Sequence, residues 1–252
     1  GEEGKNPTLD IYLPYNMVEM KREKQKRPCM LVCPGGGYGI CSERESEPIA
    51  LHFLPEGFNV FVLTYSVAPN RFPTQIREVA AAVELIYKNA DEWNCDTEKI
   101  AIMGFSAGGH LAAYTSTFTE DKAKPAFSIL FYPVITGTTW ATHQNTFQYL
   151  LGKNRTQNEQ FYYSLENRVT TTTPPTILLL SHADLTVPPI SSILYYEALK
   201  ANGVPATMHI YPSGGHGWCG HDEFKYSNEY KDALADFLKI QSKKAAEAKA
   251  KK

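Results

Sequence analysis

The chain has no long apolar run. Its apolar stretches are strand-sized, far short of the 18 or more residues that suggest a membrane span, so no membrane association is expected. Cysteine is scarce: 5 residues, an odd number, at positions 29, 33, 41, 95 and 219, with no C-x-x-C pair. That spacing indicates neither a zinc knot nor a disulfide framework; scattered core or near-surface thiols are expected. No H-E-x-x-H or other tight ligand cluster occurs, so no metal is expected. Neither sign of charge dominates. The formal net charge is -2 over 252 residues, which gives no bulk attraction to nucleic acid. Gly (17) and Pro (16) are frequent but form no repeat, which removes collagen-like and disordered readings. The opening Gly1-Glu2-Glu3-Gly4-Lys5 lacks the apolar core of an export signal. A glycine start fits a trimmed terminus, so the compartment stays open, and nothing in the sequence fixes an oligomeric state.

What is present is an alternation of strand-like and helix-like segments. The length fits one large α/β domain, expected over 1–240 with an insertion at about 133–173 and a polar tail at 241–252. Leu9 to Tyr12 reads as a strand, and the charged Glu19 to Arg27 as a hairpin loop after it. Cys29 to Cys33, Asn59 to Tyr65, Ile100 to Gly104, Ala126 to Tyr132, Thr176 to Leu180 and Ala206 to Tyr211 read as further strands. Between them the spacing predicts helices over Thr74 to Asn89, Ala107 to Ser116, Pro188 to Ala201 and Glu223 to Ile240. Another is predicted over Ser42 to Leu54, with Ser42 as cap and Glu45 as its capping-box partner. Strands alternating with helices predict a mostly parallel sheet covered on both faces. In such sheets sites form at the carboxyl ends of the strands, and Gly36, Gly37, Ser106, Asp184 and His216 fall there.

Gly104-Phe105-Ser106-Ala107-Gly108 matches G-x-S-x-G, between an apolar run (KIAIM) and a small-residue segment (HLAAY). A tight strand-to-helix turn needs small neighbours and pushes the serine oxygen up at the sheet edge. A serine hydroxyl is a weak nucleophile until a base takes its proton. Of the 7 histidines, His52 and His209 fall within predicted elements, and His110 sits one turn past Ser106 in a supporting position. His216 lies in the Gly-rich loop Ser213 to Trp218 after the last strand, where it can swing over the sheet edge; His221 is the local rival. Asp184 follows the TILLL strand and is the carboxylate placed to orient the base. Ser106, Asp184 and His216 then appear in the chain order of this turn chemistry, with Glu166 and Asp222 as reserve acids.

Pro34-Gly35-Gly36-Gly37-Tyr38 follows the CMLVC strand. Its glycines keep side chains off the backbone, so amides can face an oxyanion. Ala107 is expected to supply one donor, and Gly36 or Gly37 the other. No Lys-Ser/Thr pair follows these glycines and no G-x-G-x-x-G occurs there, which weighs against a phosphate or dinucleotide. No cofactor is expected.

With those motifs in place, the chain resembles the α/β-hydrolases of the carboxylesterase and lipase type. More narrowly it is similar to bacterial carbohydrate esterases of the acetyl-xylan-esterase kind. The resemblance runs from about residue 28 to 240, through PGGGY (Pro34 to Tyr38), YSVAP (Tyr65 to Pro69), GFSAGGHL (Gly104 to Leu111) and PSGGHGW (Pro212 to Trp218). It departs at Ala183, where relatives often carry a second Asp, and at Ser66, where an Arg is absent. The resemblance implies a small acyl group on a plant polysaccharide hydroxyl as the target. Feruloyl or general carboxylesterase activity is the alternative, and a serine peptidase of the same fold a more distant one. The partner expected is thus an acylated carbohydrate or small ester. Tyr38, Trp140 and Trp218 are expected to offer rings to a sugar. The Thr-rich stretch of Thr136, Thr138, Thr139, Thr142 and Thr146 is expected to form a polar wall.

Overall fold

The computed structural model describes residues 6–118, 124–138, 140–221 and 223–250. Within the last helix, the side chains at 245, 246 and 248–250 are not among those described. The apolar runs become the strands β1 (Thr8–Tyr12), β2 (Arg27–Cys33), β3 (Asn59–Thr64), β4 (Cys95–Phe105), β5 (Ser128–Phe131), β6 (Thr176–Ser181) and β7 (Ala206–Tyr211). They form one sheet in the order β1-β3-β2-β4-β5-β6-β7. β1 is antiparallel to β3, and the remaining pairs are parallel.

The inner strands read as unbroken apolar runs because they have no solvent face. β5 and β6 are buried at every position, which happens when helices cover both sides of a parallel sheet. β7, at the edge, is mostly half-buried or exposed. Seven α-helices lie among the described residues: α1 (Glu47–Phe53), α2 (Thr74–Lys88), α3 (Ser106–Phe118), α4 (Gln144–Leu151), α5 (Gln157–Tyr162), α6 (Ile190–Ala201) and α7 (Ser227–Ala250). α2 buries Val79, Val83 and Ile86, a stripe at three- and four-residue spacing. α3 is buried nearly all round, which explains its small residues: it lies directly against the sheet. α4 and α5 sit in the connection between β5 and β6 and form a helical cap region.

Two expectations are corrected, and the last predicted helix runs further than its expected end at Ile240. Glu19 to Arg27 is not a hairpin loop, because β3 lies between β1 and β2; the segment crosses to a non-adjacent strand and holds a short 3-10 turn at Val18–Met20. Ser42 to Leu54 is not one helix. It divides into a 3-10 turn, Glu43–Glu45, and α1, and the Ser42 side chain makes no cap bond. Glu45 is instead drawn inward to backbone and Tyr132, as described below. The polar segment from 241 continues α7 as far as Ala250, since Lys, Ala, Glu and Gln are strong helix formers; residues 251–252 lie outside the described part.

His110, on α3, ties the fold together around its centre. Its side chain is fully buried. Nε2–H donates to the carbonyl of Tyr163 in the cap at 2.9 Å, and Nδ1 accepts from the Tyr38 hydroxyl at 3.2 Å. Burial lowers its pKa from 6.5 to about 4, with the Tyr163 bond acting in the opposite sense. The folded imidazole therefore stays neutral where an unfolded one takes up a proton. Unfolding binds that proton between pH 6.5 and about 4, so stability falls as pH drops through this window, by on the order of 3 kcal/mol at its lower end. Urea denaturation of the wild type is expected to show this slope, and His110→Gln should lose that component. An unchanged slope in the variant would place the acid sensitivity elsewhere.

Candidate active site

Ser106 stands between β4 and α3 with φ of +52°, a left-handed conformation that non-glycine residues rarely adopt. The flanking glycines show why the turn tolerates nothing larger. A Cβ on Gly104 would lie 2.2 Å from the Gly108 carbonyl oxygen, and one on Gly108 would lie 2.1 Å from that of Cys33. Backbone packs on backbone here, and α3 is drawn down against β2. The serine is lifted to the carboxyl end of the sheet and is 7 % exposed. The α3 N-terminus lies beneath it, with a partial positive charge and free N–H groups.

His216 Nε2 lies 2.8 Å from Ser106 Oγ, and His216 Nδ1 lies 2.7 Å from Asp184 Oδ2. The imidazole can carry its proton on Nδ1, toward the carboxylate, and accept the serine hydroxyl proton on Nε2. Asp184 is buried. Its other oxygen, Oδ1, accepts the N–H groups of Thr186 and Val187, both at 2.9 Å, so the loop after β6 fixes the carboxylate before the histidine meets it. The rivals stand apart. His221 is exposed; Glu166 hydrogen-bonds Thr136, and burial raises its pKa. Asp222 lies outside the described residues.

The glycine loop lies alongside. Gly36 and Gly37 have φ of +125° and +65°, and no backbone acceptor among the described residues takes their N–H groups. The Gly35 N–H is already engaged: it donates to Glu45 Oε2 at 2.8 Å. Ala107 follows Ser106 at the start of α3, and amides left free in this way can serve as donors to a developing oxyanion.

Glu45 is the residue whose place the sequence hid. It is 2 % exposed, and its Oε1 accepts the Tyr132 hydroxyl at 2.7 Å. The Tyr132 oxygen in turn accepts the Cys219 N–H at 3.3 Å, and the Tyr132 ring meets the His216 ring edge-on at 4.9 Å. Burial pushes the Glu45 pKa up, while the bonds from Tyr132 and Gly35 hold it down. One carboxyl group thus joins the oxyanion loop, the end of β5 and the histidine loop. The local capping-box pattern points to the wrong partner for it; nothing local to Glu45 signals a contact with Tyr132.

His143, one residue before α4, also went unassigned in the sequence. It is half-buried, its Nδ1 is 2.7 Å from Thr146 Oγ1, and its Cε1 lies 3.8 Å from where a Cβ on Gly37 would stand. Burial, and then the charge of His216, lower its pKa, opposed by Asp184. The cap therefore forms a wall over the oxyanion loop.

The aromatic expectations divide. Tyr38 is fully buried and serves His110, so its ring cannot meet a sugar. Trp218 is 3 % exposed and stacks on Phe224 with ring centroids 4.0 Å apart; it supports the histidine loop from below. Trp140 alone of the three is open, at 84 %. The threonine wall is also corrected: Thr136, Thr142 and Thr146 are buried, Thr138 is exposed, and Thr139 lies outside the described residues.

A family model described as BD-FAE matches residues 9–199. The chain is 36 % identical over 231 residues to endo-1,4-beta-xylanase B of Butyrivibrio fibrisolvens, covering 84 % of this chain and 36 % of that protein. It is 33 % identical over 211 residues to an acetylxylan esterase of Xylanibacter ruminicola, covering 82 % of this chain and 44 % of that one. The chain thus spans less than half the length of these curated relatives. Among solved structures it resembles an acetyl ester-xyloside bifunctional hydrolase from Caldicellulosiruptor lactoaceticus, with a TM-score of 0.86 and 31 % identity over 94 % of this chain and 89 % of that one.

The elbow's close packing has a direct test. Gly108→Ala puts a methyl group against the Cys33 and Pro34 carbonyl oxygens, at 2.1 and 2.3 Å, where only backbone movement makes room. The expected cost exceeds about 4 kcal/mol, in the range reserved for overpacking and backbone strain, and is read as loss of a cooperative unfolding transition or of soluble protein. Wild-type stability in this variant would contradict the packing described.

Proposed function

The chain belongs to the BD-FAE family of α/β-hydrolases, and from that membership we propose that it is a serine esterase removing small acyl groups, acetyl above all, from carbohydrate hydroxyls. The observation that carries the reading is the hydrogen-bonded sequence Ser106–His216–Asp184. Ser106 Oγ attacks the ester carbonyl as its proton passes to His216 Nε2. Asp184 holds the imidazole in the right tautomer and stabilises its charged form. The amides of Ala107 and of Gly36 or Gly37 receive the oxyanion. As the tetrahedral species collapses, the His216 proton goes to the departing sugar oxygen and leaves an acyl-enzyme. Water then repeats the attack with His216 as base, and the acid leaves.

Two features support a small acyl group. The nucleophile is only 7 % exposed, and the His143 and Thr146 side chains lie 3.8 and 4.0 Å from where a Cβ on Gly37 would stand. The carbohydrate part rests on the relatives, an acetylxylan esterase and a xylanase among them, and on the exposed Trp140, a flat apolar face suited to a sugar ring. Trp140 is thus retained as a substrate contact. One methylene changes transition-state binding by only about 1–3 kcal/mol, so propionyl esters remain acceptable while long chains do not.

Ser106→Ala is expected to reduce ester turnover to background with the fold intact. His216→Ala should lower kcat by roughly 10³-fold or more, while His221→Ala keeps most activity; the reverse pattern would move the base to residue 221. Across acetyl, butyryl, octanoyl and feruloyl esters, kcat/KM should favour acetyl, with acetate released from acetylated xylan. A strong feruloyl preference with little acetate release would replace this reading by that of a feruloyl esterase.

A further inference from the structure

The cap carries a second concavity, away from the nucleophile, with a chemistry of its own. It is a cleft of about 510 Å³, whose lining includes Thr138, Gln144, Gln157, Asn158, Gln160 and Phe161. No lining side chain is charged. Four are carboxamides, a group that carries both donors and an acceptor. The ring beside them, Phe161, is 54 % exposed. Its size lies within the range of small-molecule sites.

The cleft is held in shape by its own bonds. At its floor the Gly137 N–H donates to Ser164 Oγ at 2.8 Å, and the Gly137 carbonyl accepts Gln160 Nε2 at 2.9 Å. Phe147 closes off the space below, since a Cβ on Gly137 would lie 2.6 Å from its ring. Gln144 is steadied by Arg155, whose Nη2 donates to its Oε1 at 2.7 Å. A capping box between Thr156 and Glu159 sets the first turn of α5 and so the positions of Gln157 and Asn158. No hydrogen bond to another described residue occupies the Gln157 or Asn158 side chains, so both are available to a ligand.

Its place relative to Ser106 is set by one short stretch of chain. The Val134 N–H donates to the Ser106 carbonyl at 3.0 Å, and Thr138 follows four residues later. Extended backbone of that length spans at most about 14 Å. Gln144 also directly follows His143, which walls the oxyanion loop. Thr138 at the cleft therefore lies within about 17 Å of the Ser106 carbonyl, a span that a few linked sugar units can bridge.

We infer that this cleft is a glycan subsite, which takes neutral, hydroxyl-rich sugar units of the same chain that carries the ester. The carboxamides match hydroxyls, which both donate and accept, and Phe161 matches the apolar face of a pyranose. The absence of charged lining disfavours uronate or phosphorylated units, whose charge would find no partner here. This inference rests on the esterase reading above and extends it from the reacting group to the carrier.

The test compares wild type with Phe161→Ala and with a Gln157→Ala/Asn158→Ala double variant. Each is assayed on acetylated xylo-oligosaccharides and on 4-nitrophenyl acetate, which is too small to span to the cleft. KM for the oligosaccharide is expected to rise about five- to tenfold in both variants, from loss of a ring contact or of paired hydrogen bonds. Both kcat and all constants for 4-nitrophenyl acetate should stay at wild-type values. Calorimetric titration of Ser106→Ala with unacetylated xylotetraose should show binding that adding Phe161→Ala removes. Wild-type KM for the oligosaccharide in both variants would overturn the subsite while leaving the esterase reading in place. A wild type that cleaves 4-nitrophenyl acetate but releases no acetate from any acetylated glycan would overturn the esterase reading, and the subsite with it.

Discussion

Two carbonyl oxygens, of Cys33 and Pro34, stand where a side chain at position 108 would have to go. Because residue 108 is glycine, α3 can settle against the end of β2, and that contact does two things at once. It forces the chain between β4 and α3 through a turn tight enough to hold Ser106 at positive φ. It also brings Ser106 against the loop that begins at Pro34, where a Cβ on Gly35 would lie 3.1 Å from the Ser106 Cβ. The Pro34 carbonyl, so closely approached, is satisfied by the Tyr65 hydroxyl at 2.6 Å, as a buried acceptor requires. The serine turn and the glycine loop are therefore one piece of backbone packing.

A second, polar layer locks the remaining parts to this one. Gly35, Glu45, Tyr132 and Cys219 form a buried hydrogen-bonded chain that reaches from the glycine loop to the loop bearing His216. Buried networks of this kind are stable when every member is satisfied and costly when one is removed, at roughly 1–3 kcal/mol for each group left unpaired. Asp184 is treated likewise by the N–H groups of its own loop. Ser106, His216 and Asp184 thus meet on turns after separate strands, yet each turn is fixed by bonds that do not depend on substrate.

The residues proposed for the site could be named from the sequence because their constraints are local. G-x-S-x-G, the glycine run and the Gly-rich histidine loop each occupy a few consecutive residues, and each constraint acts within the turn that contains it. The sheet was equally legible, since fully buried parallel strands leave unbroken apolar runs such as TILLL. What failed was whatever depended on distant partners. Glu45 satisfied a local capping pattern, yet a buried hydroxyl 87 residues away claimed its carboxylate. Tyr38 and Trp218 sit beside catalytic motifs in the chain, yet each ring turns inward to pack. The order of strands at the β1 edge was lost for the same reason: adjacency in sequence does not fix adjacency in a sheet. In the cap, the threonines that made the segment look polar are mostly buried, and the amides of α4 and α5 carry its open surface instead.

The central claim is that Ser106 is held as an activated nucleophile by His216 and the elbow. The most direct measurement is covalent trapping with a fluorophosphonate, followed by intact mass and peptide mapping. One phosphonyl group per chain is expected, on the peptide containing Ser106, with labelling slowed strongly in His216→Ala and abolished in Ser106→Ala. Labelling of folded wild type at another residue, or none at all, would contradict it.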